Sequence, residues 1–176
     1  VIQLVLSSLP IDEIPGRVAL ATFFEDVRPL KGSTSLIDWR LNGRLSDLIL
    51  QGRISGQFSE SLIMPSQGRL AANEIFIFGL GKSEEISDNK LEQGFSVVID
   101  KLSLLKSREI VVSFGDLAKD FMGWRSLLRS FMNALSPKQF RQQEDVQIVC
   151  AEDAKWISEA RKRNMDFGPE VNLSYA

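Results

Sequence analysis

Lys31-Gly32-Ser33-Thr34-Ser35-Leu36-Ile37-Asp38-Trp39-Arg40-Leu41 opens the most informative stretch of this chain, which continues through Gly52-Arg53-Ile54-Ser55-Gly56, Leu62-Ile63-Met64-Pro65 and Ile75-Phe76-Ile77-Phe78-Gly79-Leu80-Gly81-Lys82. Ile37, Leu41, Leu45, Leu48 and Ile49 recur at helical spacing, which predicts a helix over 34–51. A Gly-Ser-Thr-Ser cluster stands before it as capping material, and Gly52 stands after it as a stop. The interior Asn42-Gly43 weakens that helix, by about 1 kcal/mol for the glycine. Two short apolar runs, 61–64 and 74–78, read as strands joined by Pro65-Ser66-Gln67-Gly68-Arg69.

Outward from this stretch the same alternation continues. Strands are expected over 1–6 and 17–24, rich in β-branched and aromatic residues and separated by Pro10, Pro15 and Gly16. Leu91, Phe95, Val98, Leu102 and Leu105 line one face of a helix. A strand over 109–114 precedes a helix over 116–135, whose stripe is Leu117, Phe121, Trp124, Leu128, Phe131 and Leu135. A strand over 146–151 and a helix over 152–163 follow. Residues 164–176, with Gly168-Pro169 and little periodicity, read as a tail to a single domain over 1–163. Alternating strands and helices predict an α/β fold of three layers, a mixed and mostly parallel sheet with helices on both faces.

The quoted glycine and apolar motifs, taken with this element order, resemble the amino-terminal domain of the leucyl (cytosol) aminopeptidase family. That resemblance implies a macro-domain-like fold and the non-catalytic half of a metallo-exopeptidase. In full-length relatives this domain helps build and regulate an oligomeric enzyme, while the carboxy-terminal domain holds two metals with a lysine and several carboxylates. No counterpart of the Asn-Thr-Asp-Ala-Glu-Gly-Arg type motif of that second domain is found here, and the reading favours a domain encoded alone.

Composition narrows the chemistry. The 176 residues carry 21 basic and 23 acidic side chains, a net charge of −2, with 44% hydrophobic residues, one cysteine and no histidine. Such a chain buries an ordinary core and has no global field for nucleic acid or anionic membrane. Histidine-based zinc sites and thiolate clusters are excluded. A serine nucleophile would lack its imidazole base, and no Ser-x-x-Lys or Gly-x-Ser-x-Gly element is present. Cys150, inside an apolar run, reads as a core thiol in a reducing, cytoplasmic setting. No cofactor is expected, and no apolar run approaches the ~18 residues of a membrane span.

What remains are loops. Gly79-Leu80-Gly81-Lys82-Ser83 fails the nucleotide phosphate loop, since Phe76 stands where glycine is needed, and fails the dinucleotide fingerprint at Glu84. It reads as a turn needing positive φ at Gly79 or Gly81. Asp38 reads as a hydrogen-bonding or first-turn charge, and the adjacent acids Glu152-Asp153 as solvated surface charge. In an open α/β sheet the Lys31-Gly32-Ser33, Gly79-Gly81 and Gly115 loops would converge beyond the strand ends, with Trp39 or Phe24 able to plug the crevice.

Three functions therefore stand. The first is a non-catalytic interaction or assembly module, with a protein partner or self-association. The second is a macro-type crevice for ADP-ribose or a nucleotide, using Lys31, Gly32, Ser33, Gly79, Gly81 and Gly115. The third is a DNA contact through Arg125, Arg129 and Lys138, extended by Lys119 and Arg141, against which the acidic charge balance speaks.

Overall fold

The computed structural model describes residues 1–135 and 145–176. Among the described residues seven strands form one sheet: β1 (Ile2–Ser7), β2 (Gly16–Phe23), β3 (Ser61–Pro65), β4 (Ala72–Gly79), β5 (Glu109–Val112), β6 (Val146–Ala151) and β7 (Val171–Tyr175). Their spatial order is β3-β4-β2-β5-β6-β1-β7. Only the β3–β4 pair is antiparallel, and every other neighbour is parallel.

Period-two alternation sends side chains of each central strand into two cores. Val18 and Leu20 of β2, with Phe76 and Phe78 of β4, face the core shared with α3 (Asp88–Leu104), α4 (Phe121–Leu135) and α5 (Ala154–Lys162). Ala19 and Ala21, with Ile75 and Ile77, face the core shared with α1 (Gly32–Arg40) and α2 (Arg44–Leu50). The three-layer α/β sandwich expected from the alternating pattern is the fold observed. Trp124 is fully buried at the centre of the larger core, against Phe121 and Trp156. Cys150 is buried in β6, as its apolar neighbours implied.

Three elements differ from the sequence reading. The helix expected over 34–51 is two helices, because Asn42 and Gly43 both take positive φ, 56° and 78°. Asp38 bridges the break. Its carboxylate accepts from the backbone N–H of Leu45 at 2.8 Å and of Ser46 at 3.2 Å, and from the Ser46 hydroxyl at 2.5 Å. It thus caps α2 from the last turn of α1. Asp38→Ala strands these donors and should lower stability by about 1–2 kcal/mol, measured by urea unfolding; an unchanged midpoint would show that the break is held by its backbone alone.

Residues 116–135 do not form one helix either. A short 3₁₀ turn at Gly115–Leu117 comes first, and α4 starts only at Phe121, after Asp120 accepts the Gly123 N–H at 2.8 Å. Finally, the segment read as a tail supplies β7. It pairs in parallel with β1 from Ile2–Val171 to Leu6–Tyr175 and closes that side of the sheet.

Candidate functional site

Parallel strands bring their carboxyl ends to one side of the sheet, and the crevice of the molecule lies there. It has two chambers. The larger, of about 590 Å³, is bounded by the chain leaving β1 (Ser8, Leu9), β5 (Ser113) and β6 (Glu152), and by Trp156 of α5. The smaller, of about 270 Å³, lies beyond β2 and is lined by Phe23, Phe24, Val27 and Leu30. Ser33, Ser113 and Asp116 border both.

The loops around this crevice present backbone N–H groups, the usual means of holding an anion. Here the chain's own carboxylates take them. Asp116 accepts from Ser33 N at 2.8 Å, and Asp26 from Ser83 N at 2.8 Å. Glu152 accepts from Phe114 N at 2.7 Å and Gly115 N at 3.0 Å.

Glu152 is the most perturbed of these acids. It is 6% exposed, and burial pushes its carboxyl from 4.5 to about 7. The N–H groups of Phe114 and Gly115 and the nearby Trp124 indole pull the value down, and the Asp116 charge pushes it up. Trp124 Nε1 faces this region without a hydrogen bond of good geometry. Sequence reading had taken Glu152-Asp153 as surface charge. Only Asp153 fits that description, as the cap that accepts Lys155 N at the start of α5. Glu152 leaves a buried strand inward because the β5 loop offers it two amides.

The loop residues singled out from sequence separate into two groups. Gly32, Ser33 and Gly115 border the larger chamber, and Lys31 and Ser33 the smaller. Gly79 and Gly81 border neither. Gly81 has the positive φ expected, 77°, whereas Gly79 is a glycine because a Cβ there would lie 2.1 Å from the Gln57 carbonyl oxygen. Both are packed under the Gly56–Gln57 loop. Ser33 and its neighbours do not cap α1 by side chain; Lys31 holds the N-cap position without a side-chain bond, and Asp116 serves instead. Phe24 lines the smaller chamber, while Trp39 is 68% exposed beneath the Arg40 guanidinium. Arg125 is half-buried, and Arg129 lies over the Phe167 ring at 5.7 Å. Lys138 and Arg141 lie outside the described residues. Among the described residues no group of three or more histidine, cysteine or acidic side chains is placed to hold a metal ion.

Residues 21–124, from β2 to the first turn of α4, match the sequence profile described as "Cytosol aminopeptidase family, N-terminal domain". The chain belongs to the cytosol aminopeptidase family. Within that family it is 32% identical over 107 residues to a probable cytosol aminopeptidase of Sulfurihydrogenibium sp., an alignment covering 61% of this chain and 21% of the relative. The chain thus spans about a fifth of that enzyme's length. Among solved structures, a tomato leucine aminopeptidase variant superposes with a TM-score of 0.60 and 17% identity, over 92% of this chain and 35% of that one. A Trypanosoma brucei macrodomain in complex with ADP-ribose gives a TM-score of 0.66 at 13% identity, covering 91% and 68%. These likenesses establish a macro-domain-like fold for this cytosol aminopeptidase family domain. The sequence signal for its crevice acids was slight, since Asp116 and Glu152 meet their partners only across the sheet.

Proposed function

We propose that this chain is a non-catalytic assembly or regulatory domain of the cytosol aminopeptidase family, acting in the cytoplasm through contact with another protein subunit. One observation carries the reading. The backbone N–H groups of Ser33, Ser83 and Gly115, which line the crevice, already donate to Asp116, Asp26 and Glu152, so fewer donors are left there for a charged ligand. A contact surface is available elsewhere. Leu62 on the edge strand β3, and Leu104 and Leu105 at the end of α3, are 36%, 83% and 44% exposed and line one shallow depression. Apolar side chains grouped this way mark interaction surfaces.

Sedimentation of the chain, alone and mixed with a full-length family aminopeptidase, tests this. Association is expected, with Leu104→Glu weakening it at least about tenfold by placing a charge in an apolar contact. Absence of any association, or hydrolysis of leucine amide by the chain itself, would overturn the reading. The second reading, a small-molecule crevice, is favoured by the volume of the larger chamber and by the ADP-ribose held by the Trypanosoma brucei macrodomain. A rise in melting temperature with ADP-ribose would support it; on the assembly reading the melting temperature stays unchanged.

A further inference from the structure

Strand β3, Ser61-Leu62-Ile63-Met64-Pro65, is one edge of the sheet and carries no charged side chain. The direction of its backbone groups follows from two bonds that flank its ladder to β4. Ser66 N donates to Asn73 O and Gly79 N to Glu60 O, and the register keeps both pairs in phase with Leu62–Ile77 and Met64–Ile75. Bonded and non-bonded positions alternate along an antiparallel pair, so Leu62 and Met64 are the residues that bond to β4. Ser61 and Ile63 therefore turn their N–H and C=O groups away from the sheet, together with the Pro65 carbonyl. An edge in this state is a template for another strand. A hollow lies against each face of it. On the α3 face, where Ile63 packs on the larger core, the depression of Leu104 and Leu105 has Lys101 as its charged lining residue, with Nζ against the Ser61 hydroxyl. On the opposite face, where Met64 packs on the smaller core, a hollow of about 280 Å³ is walled by Leu41, Met64 and Pro65 and flanked by Arg44 and Arg69. Both arginines are exposed, and among the described residues neither is paired with an acid and no acid lines either hollow.

We propose that β3 is a docking edge for an extended segment of a partner protein that alternates apolar and acidic residues: the segment adds to the sheet as a further strand, with an apolar side chain over Leu104 and Leu105 and a carboxylate at Arg44 and Arg69. Successive side chains of an added strand fall on opposite faces, so one alternating segment reaches both hollows. The outward groups of Ser61, Ile63 and Pro65 supply its backbone bonds, and guanidinium groups hold carboxylates through paired N–H donors. Charge selects this occupant over a second copy of the chain. Two β3 strands paired about a two-fold axis would set the Lys101 end of each beside the Arg44 and Arg69 end of the other, gathering like charges at both ends. The inference deepens the assembly reading at the same surface, naming what the partner subunit presents there.

A short peptide alternating leucine and glutamate is the probe, with its leucine–lysine counterpart as control. The leucine–glutamate peptide is expected to bind at least about tenfold more tightly than the control, and to lose at least about tenfold in affinity when Arg44→Glu and Arg69→Glu are combined. On binding, the Ser61 and Ile63 amides, which exchange quickly with solvent deuterium in the free chain, become protected, while those of Leu62 and Met64 are protected throughout. Comparing the two peptides on the wild-type chain needs no variant, so it serves if the double variant is poorly folded. The docking edge is overturned if neither peptide binds, if both bind alike, if the charge reversals leave binding to a folded chain unchanged, or if Ser61 and Ile63 are already protected in the free chain. Sedimentation is decided separately. Association with the aminopeptidase without peptide binding discards the edge and keeps the assembly reading, and peptide binding without association does the reverse.

Discussion

Gly79→Ala is expected to destabilise the domain by about 3 kcal/mol or more, the upper end for forcing a methyl group into packed surroundings. The added Cβ would stand 2.1 Å from Gln57 O, 2.7 Å from Gly56 C and 2.8 Å from Gly56 O. All three are backbone atoms, which no rotamer change can move aside. The loop is also tied on both sides of the intended methyl: Gly79 N donates to Glu60 O at 2.8 Å, Ser59 N to Gly79 O at 3.1 Å, and Gly81 N to Gly56 O at 2.8 Å. Relief would therefore cost ladder bonds between the end of β4 and the loop before β3. At Gly81 the obstacle is different. There a Cβ meets only Phe58 Cβ at 3.2 Å, and the penalty comes from the φ of 77°. Gly81→Ala should cost about 1 kcal/mol, the usual figure for a non-glycine residue in the left-handed region. Urea unfolding of the pair reads the order directly. Equal midpoints for Gly79→Ala and wild type would mean that the Gly56–Gln57 loop yields, and that the close approach is not a constraint.

This pair shows what a linear sequence can and cannot report. Glycine at 79 and 81 announced a special backbone, and the apolar run in 74–78 announced the strand before it. Which glycine served conformation and which served proximity depended on Gln57, a residue on another element. The same holds for the helices. The apolar stripe from Ile37 to Ile49 was visible, but it keeps helical phase across Asn42-Gly43, so the break appeared only as a lowered propensity. Residues 171–175 do alternate, Val171-Asn172-Leu173-Ser174-Tyr175, but so short a run after Gly168-Pro169 was read as part of a tail, and its pairing with β1 is what makes it a strand. The strand-end rule brings Lys31, Gly32, Ser33 and Gly115 to the rim of one crevice, but it also expected Gly79 and Gly81 there, which border neither chamber. The crevice acids were not legible, because the bond from Ser33 to Asp116 spans 83 positions and those from Phe114 and Gly115 to Glu152 span 38 and 37. Burial of a carboxylate is a property of the assembled sheet.

Glu152 provides the second large effect, a fall in stability as pH rises. Its carboxyl is raised from 4.5 to about 7 in the folded chain. Between these values the folded state holds a proton that the unfolded state has released, so stability is fully present below about pH 4.5 and is lost as pH passes through about 7. The total is about 3 kcal/mol, from the conversion of 1.36 kcal/mol per pH unit. Other groups act in different windows. Asp26 is held below its ordinary value by its bonds from Ser83, and Glu159 by its bond from Arg163; both give the opposite slope, in more acid solution. Burial pushes the Cys150 thiol well above its usual range, with the Glu152 charge adding to it, so Cys150 stays protonated throughout. Asp116 raises Glu152 by its charge, and Asp153, Lys119 and Lys155 border the same chamber. Glu152→Gln keeps an acceptor for one of the two amides and removes the ionisation. Subtracting its unfolding free energy from that of wild type, pH by pH, cancels the groups that the two proteins share. The wild-type advantage should be greatest below about pH 4.5 and shrink by about 3 kcal/mol by about pH 8. Parallel curves would mean that Glu152 ionises in the fold as it does in the unfolded chain, with Phe114, Gly115 and Trp124 fully compensating its burial.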